Sequence, residues 1–320
     1  MKKAVFLDHS TVGPDDLTMA SLEELPLSWT FYDSTSPSEV PERISRAEIV
    51  ITNKCKLNAD DITQAPELKY ICAAATGFNH IDIEAADASG IAVSNVRNYG
   101  TPSVVQHVYA LMLALSTKLM QYSAAVQRGD WHRSENFCLL DYPIEEVAGK
   151  ALGIIGYGTL GQAVAKAAPA MGLEVQVCQH LHGDAEPGRL PLDELLATCD
   201  ILSLHIPLNK QTENLIGERE LALMKKSALL INTGRGGIVD EPALANALRQ
   251  HKIAGAGVDV LAIEPPLDDS PLLAGDIPNL IVTPHTAWAS RQSRQRLVDQ
   301  IADNISAFLK GEIANRVGKT

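Results

Sequence analysis

A chain of 320 residues, 46% of them hydrophobic, is long enough for two domains and apolar enough for substantial cores. Its formal charge of −12 argues against nucleic acid or an anionic membrane surface as a partner. Five cysteines, at 55, 72, 138, 178 and 199, are scattered without a C-x-x-C pair, so they read as free thiols with no disulfide framework and no metal site. Met1-Lys2-Lys3 precedes only a short apolar run, and no apolar stretch reaches membrane-spanning length, so a cytoplasmic protein is expected.

The first hundred residues alternate β-rich runs with helical patterns. Strands are expected at Ala4–Asp8, Trp29–Tyr32, Ile49–Thr52, Tyr70–Ala74 and Ile91–Val96, and helices near Asp15–Glu24, Ser38–Arg46, Asp60–Gln64 and Ile81–Ala88. Such alternation predicts a parallel sheet with helices on its faces, a compact α/β domain. Thr101-Pro102-Ser103 then looks like a helix start, and one helical stretch is expected from Val104 towards Arg128. From Gly129 to Pro143 the chain is irregular but carries Trp131, Phe137, Leu139, Leu140 and Tyr142. Exposed aromatics on a connector mark a partner surface, so residues 100–145 are expected to hold a homodimer contact, the alternative being packing on the same subunit.

The second half is organised around Ala151-Leu152-Gly153-Ile154-Ile155-Gly156-Tyr157-Gly158-Thr159-Leu160-Gly161. An apolar run ends in glycines spaced G-x-G-x-x-G, and helix-favouring residues follow, which is strand, tight turn, helix. Gly156 permits the turn, Gly158 lets the backbone approach a pyrophosphate, and Gly161 lets the helix lie close to the strand. The helix N-terminus offers its free N–H groups to phosphates. In this context the motif predicts dinucleotide binding. Pro169 should kink or end that helix before Gly172.

The next strand, Glu174 to Gln179, should finish in an acidic residue that holds the ribose 2′-hydroxyl of NAD. Gln179 stands there instead, followed by His180, Leu181 and His182. Without a carboxylate the usual exclusion of NADP is gone, yet no Arg stands beside Gln179 in the sequence to bind a 2′-phosphate. NAD is the expected cofactor, with NADP possible. Further strands are expected at Ile201–Ile206, Ala228–Thr233, Gly255–Val260 and Leu280–Thr283, and a last helix at Arg291–Lys310 returns to the first domain. The expected division is 1–99 plus 286–320 for a substrate domain and 100–285 for a Rossmann domain.

Arg235, Glu264 and His285 follow the ends of successive strands, where an open parallel sheet binds its ligands. Reducing a 2-oxo acid needs a cation for the carboxylate and carbonyl, a proton donor, and a hydride from the cofactor. Arg235 suits the first role through its forked guanidinium and His285 the second. Glu264 would bond the other imidazole nitrogen and fix its tautomer. Each alone is more often a solvated or packing residue; together, downstream of the glycine motif, they form a catalytic set.

Ile231-Asn232-Thr233-Gly234-Arg235-Gly236-Gly237, then Gly257-Val258-Asp259-Val260, Glu264-Pro265 and Thr283-Pro284-His285 resemble the signatures of the D-isomer-specific 2-hydroxyacid dehydrogenases, in that family's order along nearly the whole chain. The resemblance implies two Rossmann-like or flavodoxin-like parallel-sheet domains with the active site in a cleft between them. It implies Arg235 as substrate-binding, Glu264 as the partner of His285, and His285 as acid/base. Thr233, Gly234 and Asp259 would line the nicotinamide, Asp259 bonding its carboxamide, and His205-Ile206-Pro207 the adenosine half; Thr159, Leu160, His180, Thr212 and His285 complete the expected cofactor set. Ala75-Thr76-Gly77-Phe78-Asn79 looks like the substrate loop, with Thr76 and Gly77 receiving the carboxylate.

Thr52-Asn53-Lys54, the stretch Tyr99 to His107, and His285-Thr286-Ala287-Trp288 look most like glycerate dehydrogenases, also called hydroxypyruvate reductases. Lys54, Asn53 or the indole N–H of Trp288 would bond the extra hydroxyl of hydroxypyruvate. The alternatives are glyoxylate, D-lactate or D-3-phosphoglycerate as substrate, or an NADH-sensing binding protein on the same fold. The absence of a regulatory domain after Thr320 disfavours the larger phosphoglycerate enzymes.

Overall fold

The computed structural model describes residues 1–181 and 186–319; His182 lies outside the described residues. The strands are β1 (Lys2–Phe6), β2 (Leu27–Phe31), β3 (Ile49–Thr52), β4 (Tyr70–Ala73), β5 (Ala92–Ser94), β6 (Ala151–Ile155), β7 (Glu174–Val177), β8 (Ile201–Leu204), β9 (Leu229–Asn232), β10 (Gly255–Val258), β11 (Leu280–Val282) and β12 (Arg316–Val317). The α-helices are α1 (Ala20–Glu23), α2 (Val40–Ile44), α3 (Ala59–Thr63), α4 (Ile83–Ala88), α5 (Thr101–Ser116), α6 (Leu119–Gln127), α7 (Thr159–Ala167), α8 (Leu192–Thr198), α9 (Glu218–Leu223), α10 (Glu241–Arg249) and α11 (Arg291–Leu309). Among the described residues no helix is long and apolar enough to cross a membrane.

The chain divides into two units, Met1–Gly100 with Ala289–Thr320, and Thr101–Trp288. The second boundary falls after Trp288 rather than after His285. The reason is local: Ala287 is buried in the second unit's core, and the Asp259 carboxylate accepts the Thr286 and Ala287 amides.

The first unit is a six-stranded sheet in the order β12-β5-β4-β3-β1-β2, parallel except for β12 against β5. Every residue of β3 and β4 is buried, which is why Ile49-Val50-Ile51-Thr52 and Tyr70-Ile71-Cys72-Ala73 are continuous rather than alternating in pattern. From α11, Phe308 stacks on Tyr70 with ring centroids 4.5 Å apart. The expected helix at Asp15–Glu24 is instead a 3-10 turn, Pro14–Asp16, and the single turn α1; Leu17 between them is extended.

The second unit is an all-parallel sheet in the order β11-β10-β9-β8-β6-β7. The expected helix from Val104 to Arg128 is two helices. Lys118 breaks it by entering the left-handed region at φ 55°, a conformation costing a side-chain-bearing residue about 1 kcal/mol. The break is held in place by its surroundings: Lys118 is only 8% exposed, and the Glu145 amide donates to the Ser116 carbonyl. Burial holds the Lys118 ammonium below its usual pKa. At Pro169 the chain behaves as its sequence predicts: α7 stops at Ala167 and a 3-10 turn, Ala168–Met171, leads to Gly172.

Candidate active site

The glycines after β6 are fixed by contact. Gly156 has φ +94°, and a Cβ there would stand 2.4 Å from the His205 carbonyl oxygen; a Cβ on Gly161 would stand 2.0 Å from that of Gly156. Neither position admits a side chain without moving backbone. Gly158 opens α7 with nothing within 4 Å of its missing Cβ. Beside this turn lies a cavity of about 320 Å³ bordered by Gly156, Tyr157, Gln179, His180, Pro207 and Thr212. Five of these residues belong to the expected cofactor set.

The Thr212 hydroxyl donates to the Pro207 carbonyl at 2.7 Å, so it shapes the loop after β8. Leu160 packs on the core behind α7, while Thr159 is exposed at the helix start. His205 Nε2 lies 2.9 Å from Ser203 Oγ, and burial pushes this imidazole down to about 4. His205 Nδ1 and Thr233 Oγ1 are buried with no hydrogen-bond partner among the described residues. An unmade buried hydrogen bond costs about 1–3 kcal/mol, which a polar ligand at these atoms would relieve. Orphaned groups at the ends of β8 and β9, together with the glycine cradle, fit a dinucleotide lying along the carboxyl edge of the sheet.

Strands β9, β10 and β11 are neighbours, and Arg235, Glu264 and His285 follow their carboxyl ends. His285 Nδ1 lies 2.7 Å from Glu264 Oε2. A carboxylate only accepts, so Nδ1 carries the proton and Nε2 is left for a ligand. Glu264 is itself anchored, its Oε1 accepting the Leu261 amide at 2.9 Å. Arg235 is half-buried; its Nη1 donates to the Gly234 carbonyl at 2.7 Å, and Asn232 Nδ2 donates to the Arg235 carbonyl at 3.0 Å. The Gly234 amide donates to Asn232 Oδ1.

Asp259 is 1% exposed, and both its oxygens are occupied: Oδ1 accepts from Thr283 Oγ1 and the Thr286 amide, Oδ2 from the Ala287 amide. It therefore clamps the segment that carries His285, whose own amide donates to the Asp259 carbonyl at 2.8 Å. The clamp continues to α5. Thr283 spends its single proton on Asp259, so His107 Nε2, 2.9 Å away, donates to Thr283; Ser103 Oγ donates to the Ala287 carbonyl. These supports hold His285 at φ 53°, and the sequence did not reveal them because their partners lie some 180 residues apart.

Trp288 packs on the second unit's core. In the first unit, Thr76 donates its hydroxyl to the Val96 carbonyl at 3.0 Å, with Gly77 following it in the loop after β4. Lys54 is exposed, while its amide donates to Asp8 Oδ2 at 2.6 Å.

One expectation is corrected. An arginine does stand near Gln179: Arg189 borders the same cavity. The chain folds back after β7, so that the Gln179 amide donates to the Leu190 carbonyl and the Leu190 amide to Val177. A basic residue within a dozen positions of the strand end, just before the next helix, was the signal available in the sequence.

Residues 109–287 match the family described as D-isomer specific 2-hydroxyacid dehydrogenase, NAD binding domain. The chain is 47% identical to a glycerate dehydrogenase of Methylorubrum extorquens over 99% of both chains. It is 38% identical to a hydroxypyruvate reductase of Blautia hydrogenotrophica, over 99% of this chain and 100% of that one. Among solved structures, an acyclic imino acid reductase in complex with NADPH and D-Arg superposes with a TM-score of 0.86 at 29% identity, covering 98% of this chain and 99% of that one. The chain belongs to the D-isomer-specific 2-hydroxyacid dehydrogenases. It is an NAD(P)-linked oxidoreductase, and its second unit contains the family's NAD-binding domain.

Proposed function

We propose that the chain interconverts D-glycerate and hydroxypyruvate. The observation that carries the chemistry is the 2.7 Å bond from His285 Nδ1 to Glu264 at the carboxyl edge of the cofactor sheet. The names of the two full-length relatives support the substrate. The bound nicotinamide coenzyme supplies or accepts the hydride. In reduction the doubly protonated His285 ring gives its Nε2 proton to the carbonyl oxygen, and in oxidation the ring protonated at Nδ1 alone takes the hydroxyl proton at Nε2, with Glu264 fixing the ring. Arg235 forks to the substrate carboxylate and polarises the carbonyl. Thr76 and Gly77 are the proposed carboxylate loop of a substrate-binding first unit, and Lys54 and Trp288 the proposed partners of the extra hydroxyl. Thr233 and Gly234 are assigned to the nicotinamide, and Asp259 to the support of its pocket.

Steady-state rates with hydroxypyruvate, glyoxylate and pyruvate test the substrate. Fastest turnover of hydroxypyruvate is expected; preference for either of the others would overturn the assignment. The protein is further proposed to be a cytoplasmic homodimer joined through residues 100–145, where Phe137 is 90% and Leu140 82% exposed. Phe137→Asp with Leu140→Asp should halve the mass seen by light scattering, and an unchanged dimer would remove this surface.

A further inference from the structure

The coenzyme cavity ends in a set of charges that the glycine motif does not account for. His180 Nδ1 lies 2.5 Å from Glu186 Oε1, and Arg189 pairs with the other oxygen of the same carboxylate. The Arg189 guanidinium carbon is also 5.6 Å from the Tyr157 ring centroid, next to the first glycine. Arg189 and His180 both border the cavity, at the side where β7 ends in Gln179. An uncharged strand end, a forked cation and a second nitrogen donor make a phosphate site; a lone carboxylate at that strand end would have made a hydroxyl site.

We infer that Arg189 determines coenzyme choice in this chain: with His180 it takes the 2′-phosphate of NADPH, and Glu186 is the competing anion that holds both side chains when no phosphate is bound. The inference rests on the second unit being the coenzyme domain and is independent of which acid is the substrate. It explains why Gln179 is tolerated where NAD enzymes carry an acid. Glu186 also sets a limit, because a phosphate dianion must displace its carboxylate from Arg189 before the fork closes. The chain is therefore expected to accept both coenzymes rather than NADPH alone.

Calorimetric titration of the whole protein with NADPH, NADH, 2′,5′-ADP and AMP, without any hydroxy acid, tests this. One charge-assisted bond to phosphate contributes about 1.5–3 kcal/mol, roughly 10- to 100-fold in Kd. Arg189→Gln should weaken NADPH and 2′,5′-ADP by that factor and leave NADH and AMP within about threefold. Arg189→Lys should fall between, since a point charge cannot fork. Glu186→Gln should tighten NADPH several-fold. Equal weakening of NADPH and NADH by Arg189→Gln would overturn the inference, as would no change in either. Loss of NADH binding alone in Glu186→Gln would also overturn it, by making Glu186 the acceptor of the ribose hydroxyl. None of these readouts depends on turnover of glycerate or hydroxypyruvate.

Discussion

The two units repeat one sheet order. Strands β5-β4-β3-β1-β2 of the first correspond in sequence and neighbour relations to β10-β9-β8-β6-β7 of the second. In such a sheet the binding crevice opens where the order reverses, between β1 and β3 in one unit and β6 and β8 in the other. The second unit has Gly156 after β6 and His205 to Pro207 after β8, and a cavity remains beside them. At the corresponding place in the first unit Asp8 follows β1, and its buried carboxylate accepts the amides of Asn53, Lys54 and Cys55, the loop after β3. One side chain closes the crevice that the other unit leaves for a dinucleotide. Topology offers the site, and the residue after the first strand decides whether it is open.

Four substitutions break or sharpen that contrast. His285→Ala should lower turnover about 10³-fold while NADH affinity measured by fluorescence persists, because the proposed proton donor follows β11 and is not part of the glycine cradle after β6. Near-normal turnover would remove His285 from proton transfer. Gly161→Ala, whose Cβ would meet the Gly156 carbonyl oxygen at 2.0 Å, should cost about 3 kcal/mol in urea unfolding and abolish coenzyme binding. Asp8→Ala should cost a similar or smaller amount, about 2–3 kcal/mol, from three amides losing a charged acceptor. Its coenzyme Kd should nevertheless stay unchanged, and a weakened Kd would contradict the separation of the two crevices.

The smallest effect concerns His205. Burial lowers it from 6.5 to about 4, so between those values the unfolded chain binds a proton that the folded one does not. Stability from this group is thus complete above pH 6.5 and is lost as pH falls towards 4. Between pH 7.5 and pH 5 the wild type should lose about 1–2 kcal/mol more than His205→Gln in paired urea titrations. Equal losses would mean that His205 is not held neutral.

Much of the coenzyme site is legible because its residues are near one another in sequence. The run from Ala151 to Gly161 carries strand, turn and helix in consecutive positions, and backbone contact at 2.0–2.4 Å explains why two of those positions must be glycine. Arg235, Glu264 and His285 are legible for a related reason: each follows its strand by a few residues, and parallel neighbours bring strand ends together. Element ends were less clear where the backbone departs from its local preference. Lys118 is an ordinary helix former, and only its buried setting and the pairing of Glu145 with Ser116 reveal the break there.

Sequence by itself determined the parallel α/β architecture, the dinucleotide turn and the placing of Arg235, Glu264 and His285, the proposed catalytic set, after successive strands, because periodicity and short motifs encode local structure. Tertiary structure alone decided how those residues are held and what else reaches them. The pairing of Gln179 with Leu190 brings Arg189 to a strand end ten residues earlier, and α5 lends His107 and Ser103 to the segment of His285. The physical reason is that side-chain hydrogen bonds and ion pairs act over about 3 Å in space, whatever the separation along the chain.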